Sequence, residues 1–267
     1  MLTKDNIINS FKQNFNNIKK DFHKETNLIG TRYTYIDNFL PQDYANQLSK
    51  LFPNEEKIWH QQNSLRERKK DLAKIHKVHE IFADYFSSIQ SDSVLEMMEK
   101  ITGINDLNYD KSLYAGGMSA MSFGDFLNPH LDNSHNAKRD KYRRLNLLYY
   151  ITPNWKKENG GNFEIWDDKV KTKIEIIAKF NRLVIMETNR RSWHSVNKVK
   201  VNKSRNCLSI YLFTKESPSG KDYYHITSFN GRPNQYFRRV YCYFDNLTRQ
   251  TISSIFKISR GKKLVRD

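Results

Sequence analysis

The chain has 267 residues, of which 38% are hydrophobic and 13% aromatic, and carries a formal charge of +16 with a pI near 9.6. That much apolar side chain can build a core, which excludes a disordered chain; two cysteines, Cys207 and Cys242, exclude a disulfide framework and a cysteine zinc cage. The positive excess favours anionic partners (nucleic acid, phosphorylated glycan, acidic lipid, an anionic co-substrate), or forms a solvated basic surface and nothing more.

The opening MLTKDNIINSFKQNF has no continuous apolar stretch, and runs such as LLYYI are too short to cross a bilayer. The expectation is a soluble, cytoplasmic protein in a reducing compartment. With only 10 Gly and 6 Pro there is no linker-like cut. Residues 1–267 are therefore expected to form one domain, with 1–111 a helical N-terminal support, 112–214 a β core and 215–267 a C-terminal helical extension.

The first hundred residues read as mostly helical, beginning with the polar, Ile- and Phe-dotted residues 3–22. DNFLPQDYANQLSKLF reads as a strand end followed by a helix opened by Pro41. Between Lys69 and Ile89 the apolar residues Leu72, Ile75, Val78, Phe82, Phe86 and Ile89 recur every three or four positions, which predicts one amphipathic helix. His76 and His79 fall on that helix without a third ligand and read as surface residues. A second helix is expected over 92–102, stopped by Gly103.

The texture changes near Ser112. LYAGGMSAMSF, RRLNLLYYI, NFEIWD, KIEII, RLVIMET, HSVNKV and NCLSIYLFT are short, β-branched and aromatic runs separated by turn signals such as Asn159-Gly160-Gly161. Many short strands at close spacing predict a sandwich or barrel. After Pro233 helical spacing returns. The fold expected is mainly β with packed helices outside.

Residues i and i+2 of an extended segment face the same side, so His130 and Asp132 of NPHLDNSH point together. Alone, such a pair is weak. His194, in RRSWHSVNKV, supplies a second imidazole from a later strand, and two His with one carboxylate make the facial triad of non-haem Fe(II) oxygenases. Such an iron leaves positions for a bidentate 2-oxoglutarate and O₂, and the far carboxylate of 2-oxoglutarate then needs a fixed cation. Arg205 opens the strand RNCLSIYLF and can take a carboxylate through two parallel hydrogen bonds. Ser209 shares its face. In RRLNLLYYI, Asn146, Leu148 and Tyr150 share a face, where Tyr150 can donate to the same carboxylate while Asn146 and Leu148 line the cavity. His135, close after the pair, reads as a solvated loop residue, with substrate contact as the alternative. So do Lys138, Arg139, Lys141, Arg143 and Arg144, which could alternatively meet an anionic substrate at the cavity mouth. Arg66 and Arg68 are equally ambiguous between substrate contact and helix-start cover.

From about Gly116 to Thr214 the chain resembles the Fe(II)/2-oxoglutarate-dependent dioxygenases, the prolyl 4-hydroxylase-like branch in particular. The resemblance is carried, in order, by NPHLDN, LNLLYYITPNW, NGGNFEIWD, FNRLVIMET, SWHSV and SRNCLSIYLF. It implies a double-stranded β-helix (a jelly-roll, cupin-like core) with N- and C-terminal helical additions, iron held by His130, Asp132 and His194, and 2-oxoglutarate held by Arg205 and Tyr150. It implies Fe(II), 2-oxoglutarate and O₂ as cofactor and co-substrates, with ascorbate as an auxiliary reductant. Many members carry a tyrosine where this chain has Met121. The activity implied is hydroxylation of an unactivated C–H bond in a prolyl residue, an amino acid, a glycan or another metabolite. The alternatives are a nucleic-acid demethylase using the same chemistry, although this chain lacks the second arginine expected after Arg205 in that branch, and a non-enzymatic cupin-like binding module.

Overall fold

A computed structural model describes residues 4–24 and 29–256, except for the side chain of His76. Its elements are α1 (Lys4–His23), β1 (Tyr33–Asp37), α2 (Gln42–Lys50), β2 (His60–Asn63), β3 (Glu67–Leu72), α3 (Glu80–Ile89), α4 (Asp92–Thr102), β4 (Asn108–Tyr109), β5 (Gly117–Met121), β6 (Phe126–Leu131) and β7 (Tyr142–Tyr150). They continue with β8 (Phe163–Trp166), β9 (Lys173–Ile176), β10 (Arg182–Glu187), β11 (His194–Val196), β12 (Arg205–Thr214), β13 (Ser228–Phe229) and α5 (Tyr236–Phe256).

The strands form one curled sheet in the order β1-β10-β7-β12-β5-β3-β6-β11-β8-β9, with β2, β4 and β13 attached at its sides. The pairing is antiparallel throughout. Curling brings β6, β11 and β8 over the inner face of β7, β12 and β5, which is the jelly-roll arrangement expected from the sequence. Alternation then sorts the side chains. On β12, Leu208, Ile210 and Leu212 face outward into the core shared with α1, α2, α3 and α4, together with Leu145, Leu147 and Tyr149 of β7. Their neighbours Cys207 and Tyr150 face inward, with Met121, Phe163, Ile165, Val184, Met186 and Val196. The two faces of one sheet thus serve two cores: one anchors the helices and the other lines the barrel.

Asn181 ties helical layer to barrel. It sits at φ 58°, a left-handed conformation that Asn tolerates better than most residues. Its Oδ1 accepts from the Leu40 amide and the Tyr149 hydroxyl, and its Nδ2 donates to the Leu40 carbonyl. Gly103, at φ 69°, ends α4 by donating to the Glu99 carbonyl, as its position predicts.

One expected element is replaced. Residues 69–89 are not one helix: Lys69–Leu72 belong to β3, and only Glu80–Ile89 is helical. The helical spacing of Leu72, Ile75 and Val78 coincides with a strand end and a short turn. Pairing of β3 with β2, β5 and β6 decides the conformation, because ladder hydrogen bonds and cross-strand packing outweigh a weak local preference. The first hundred residues are accordingly less helical than their pattern suggests, and β1, β2 and β3 all join the sheet.

Candidate metal and co-substrate site

His130 on β6 lies directly opposite His194 on β11, and Leu127 lies opposite Val196. Three steps along β6 therefore match two along β11, so β6 carries a bulge at Asn128-Pro129. Pro129 suits this position because it has no amide to offer a ladder. A bulge re-aims the side chains that follow it: Leu127 and His130 both reach the barrel interior, whereas Phe126 and Asn128 line a cleft on the outer face.

The Nδ1–H of His130 donates to the Asn128 carbonyl at 3.0 Å, and that of His194 to the Ser192 carbonyl at 2.9 Å. A carbonyl can only accept, so each Nδ1 carries a proton, which leaves each Nε2 as the ring atom that could hold a metal. The rings lie 4.1 Å apart between centroids. Asp132 places Oδ1 3.8 Å from Nε2 of His130 and Oδ2 3.5 Å from Nε2 of His194. One donor atom from each of the three residues lies within 4.8 Å of the others, the one such cluster among the described residues. Burial, reinforced by His194 and opposed by Asp132, pulls the His130 pKa down to about 3. Burial alone would raise that of Asp132, but Arg143, His194 and His130 outweigh it and bring it to about 2. A neutral His130 and an ionised Asp132 are the protonation states a metal needs of them. Asp132 Oδ2 is buried without a hydrogen-bond partner. This donor set fits a cation of the iron type.

Arg205, 4% exposed, lies farther inside. Its Nε donates to the Gly161 carbonyl at 2.9 Å, its Nη1 approaches the Met121 sulfur at 3.8 Å, and its guanidinium lies 4.7 Å from the Tyr150 ring centroid. The Asn159-Gly160-Gly161 turn presents that carbonyl. Gly160 sits at φ 69°, and a Cβ there would come within 2.0 Å of the Lys198 carbonyl oxygen, so only glycine fits. The Tyr150 hydroxyl is fully buried and has no hydrogen-bond partner. Cross-strand register sets Cys207 opposite Tyr150, Ser209 opposite Leu148 and Tyr211 opposite Asn146. The Ser209 hydroxyl turns to the Gly117 carbonyl at 3.4 Å, and Asn146 Nδ2 lies 3.4 Å from the Tyr211 hydroxyl. Leu148 packs against the inner apolar cluster. The position where many relatives carry tyrosine is thus occupied by a thioether facing the guanidinium.

Tyr211 and Lys69 escape the sequence reading, and Arg143 departs from one of its two expectations. Arg143 is not in a solvated loop: it is 2% exposed, its Nη1 lies 3.3 Å from Asp132 Oδ1, and its guanidinium lies 3.8 Å from the Tyr211 ring centroid. None of its three guanidinium nitrogens makes a hydrogen bond. Tyr211, on the same inner face, also helps to hold the Asp132 carboxyl below the usual carboxylate range. Lys69 of β3 lies within electrostatic reach of Asp132 and Arg205; burial pushes its pKa down, but Asp71, Glu67 and Asp132 outweigh it and hold the ammonium above its usual value. The period-2 pattern of RRLNLLYYI extended backwards would have put Arg144 inside and Arg143 outside. The register shift between Leu212 and Phe213 brings Arg143 opposite Phe213 instead.

His135 is also buried, with Nδ1 2.7 Å from the Ser134 hydroxyl, and its bridge to Tyr142 closes the loop after the triad. Arg66 and Arg68 are structural: Arg66 pairs with Asp245 of α5 at 2.8 Å and Arg68 with Asp125 at 2.8 Å. Arg139 lies over Tyr224 and bonds Ser253, and His79 caps α3 through the Ile81 amide. A small cleft at the triad is lined by Asp132, Arg143, Thr188, Asn189, Tyr223 and His225. A cleft of about 720 Å³ lies on the outer face of β8 and β11 around the buried carboxylate of Glu164, away from the triad.

Residues 116–213 match the family model of the 2OG-Fe(II) oxygenase superfamily. No curated protein sequence matches the chain. Among solved structures, a prolyl hydroxylase from Trichoplax adhaerens, in complex with a hypoxia inducible factor oxygen degradation domain peptide fragment, aligns at 16% identity and TM-score 0.51, over 79% of this chain and 89% of that one. Prolyl 4-hydroxylases from Phytophthora capsici align at 17% identity and TM-score 0.54, over 95% and 78%. A Pseudomonas putida prolyl-4-hydroxylase aligns at 14% identity and TM-score 0.50, over 74% and 98%. The fold is common to all of them.

Proposed function

A 2OG-Fe(II) oxygenase by family, this protein, we propose, hydroxylates an unactivated C–H bond in a peptide substrate, with a prolyl residue as the first target. The observation that carries the reading is the convergence of the two Nε2 atoms and a buried, unpartnered carboxylate oxygen in a barrel that also holds a buried guanidinium, Arg205. Similarity of fold to the prolyl hydroxylases supports the choice of peptide.

In this reading His130, Asp132 and His194 hold Fe(II). When bound, iron and 2-oxoglutarate supply O₂ activation coupled to loss of CO₂ and formation of succinate. The chain's own residues do the rest. Arg205 binds the far carboxylate of 2-oxoglutarate, and the Tyr150 hydroxyl, otherwise unsatisfied, donates to it. Leu148, Met121, Phe163 and Ile165 keep water from that end of the barrel. Tyr211 and Arg143 hold Asp132 ionised and fixed in orientation. The remaining Arg143 donors face the cleft at the triad and take a carbonyl or carboxylate oxygen of the substrate, which positions its C–H bond.

Anaerobic titration with Fe(II) and 2-oxoglutarate tests the site, and the expected result is a metal-to-ligand absorption band that His194→Ala abolishes. An aerobic screen then tests the substrate, reading succinate and a gain of about 16 Da (one oxygen atom) across proline-containing peptides, free amino acids, sugars and methylated oligonucleotides. Product from peptides supports the proposal. Product from oligonucleotides alone, with salt-sensitive binding, replaces it with demethylation.

A further inference from the structure

Helix α5 is mounted inside out. The half of it that meets the barrel is polar. Asp245 pairs with Arg66, Asn246 bonds both the amide and the carbonyl of Phe229, Gln250 bonds the Ile226 amide and the Tyr224 carbonyl, and Arg239 donates to the Val170 carbonyl. The other half faces away and carries Phe237 (93% exposed), Val240, Tyr241, Phe244, Leu247 and Ile255. From Phe237 to Leu247 these recur at three- and four-residue intervals, which makes a stripe; Thr248, Thr251 and Ser254 separate that stretch from Ile255. Tyr236, Tyr243, Ile252 and Phe256 widen it.

Water is a poor partner for such a face. Scattered exposed hydrophobics are ordinary, but a contiguous patch beyond a few hundred Å² marks an interface. The stripe is on the order of 1,000 Å² when large apolar and aromatic side chains are taken at roughly 150–250 Å² each and scaled by their exposures, which run from 42% to 93%. Two such faces together remove roughly 2,000 Å², and two thirds of that still reaches the range of stable protein interfaces, about 1,200–2,000 Å².

Charge selects the occupant. All four charged side chains of α5 are half-buried on the inward half, where Arg238 lies over the Phe126 ring, Arg239 bonds backbone, and Asp245 and Arg249 pair. The outward half has none, only Thr248, Thr251 and Ser254 beside the apolar residues. Within α5 the exposed face has no cationic rim of the kind an anionic lipid surface calls for and no charge for an oppositely charged partner to match; the basic residues next in the sequence, Lys257, Arg260, Lys262, Lys263 and Arg266, lie outside the described residues. A face with neither is complementary to itself, which is what a two-fold interface requires. We propose that the outward face of α5 is the dimer interface of this protein, occupied by the α5 of a second copy.

Sedimentation equilibrium of the full chain at tens of micromolar, in moderate salt to screen the like charge of the copies, tests this. The expected mass is twice the 31.8 kDa of one chain. The double substitution Phe237→Glu/Phe244→Glu is expected to give a single-chain mass with an unchanged far-ultraviolet spectrum. Leu247→Cys, near the middle of the helix, is expected to form a disulfide-linked dimer on mild oxidation, whereas Tyr35→Cys, exposed on β1, is not. These cysteine variants decide the matter if the double variant fails to fold. A wild-type chain that stays at single-chain mass overturns the proposal, as does a double variant that folds and still pairs. Single-chain mass combined with flotation on phosphatidylserine vesicles assigns the face to lipid instead.

Discussion

Substituting Tyr150 by Phe separates the needs of the free protein from those of the co-substrate. In the free protein the hydroxyl is fully buried and makes no hydrogen bond, and burial together with Cys207 pushes its pKa up against the pull of Arg205. A buried, unsatisfied hydroxyl costs about 1–3 kcal/mol. Phenylalanine fills the same volume and removes that cost. Tyr150→Phe is therefore expected to leave the free protein as stable or to raise its stability by about 1 kcal/mol, equivalent to about 2–4 °C in Tm for a chain of this size. If the hydroxyl donates to the far carboxylate of 2-oxoglutarate, the same change removes one charge-assisted bond, about 1.5–3 kcal/mol, or about 10- to 150-fold in Kd. Differential scanning fluorimetry without ligands, and then anaerobic titration with Fe(II) and 2-oxoglutarate, measure the two effects on one sample. A drop of several degrees in the free protein together with an unchanged Kd would refute the assignment, because the hydroxyl would then serve packing and not the carboxylate.

Arg205→Ala is expected to weaken 2-oxoglutarate binding by at least about 100-fold, two charge-assisted bonds being lost, and Arg205→Lys by about tenfold, because an ammonium keeps the charge but not the fork; the anaerobic titration reads both. Glu164 is fully buried and held by Arg232 at 2.6 Å, Lys173 and the Ser195 hydroxyl. Glu164→Ala strands those donors and is expected to cost about 3–5 kcal/mol in urea unfolding, without changing the affinity for Fe(II) in molecules that remain folded. Asn181→Ala leaves the Leu40 amide and the Tyr149 hydroxyl unsatisfied and is expected to lower Tm by several degrees, about 1–3 kcal/mol per orphaned group. Burial would raise the Asp37 pKa, but hydrogen bonds and charge from Arg182 and Lys179 outweigh it and hold it below the usual value. Its contribution to stability is therefore present above the unfolded carboxyl pKa of about 3.9 and is lost as pH falls through the lower folded value. Asp37→Asn should flatten the acid limb of a Tm-against-pH curve there, and a superimposable curve would count against this pairing.

The sequence by itself carried the short β-rich runs, the order of the motifs from His130 to Arg205, and the helices at 42–50, 92–102 and after Pro233. Those features are local: alternation, caps and turn glycines act through neighbours within a few residues. It also carried the likeness to the iron oxygenases, because a metal and a dicarboxylate demand particular side-chain types at particular strand positions. Tertiary structure decided what depends on partners distant in the chain. Lys69–Leu72 became strand because β2, β5 and β6 pair with it, against a helical spacing that was accidental. Arg143 went from an expected loop surface to a buried contact of Asp132 because an extra residue in β7, Arg144, shifts its register against β12 and turns it inward. The bulge that aims His130 exists only as a mismatch between two strands 60 residues apart. Finally, the periodicity of α5 announced an amphipathic helix, but which half would meet the barrel was visible only in the tertiary structure, where Arg66 and the backbone of Phe229 and Ile226 take Asp245, Asn246 and Gln250 as partners.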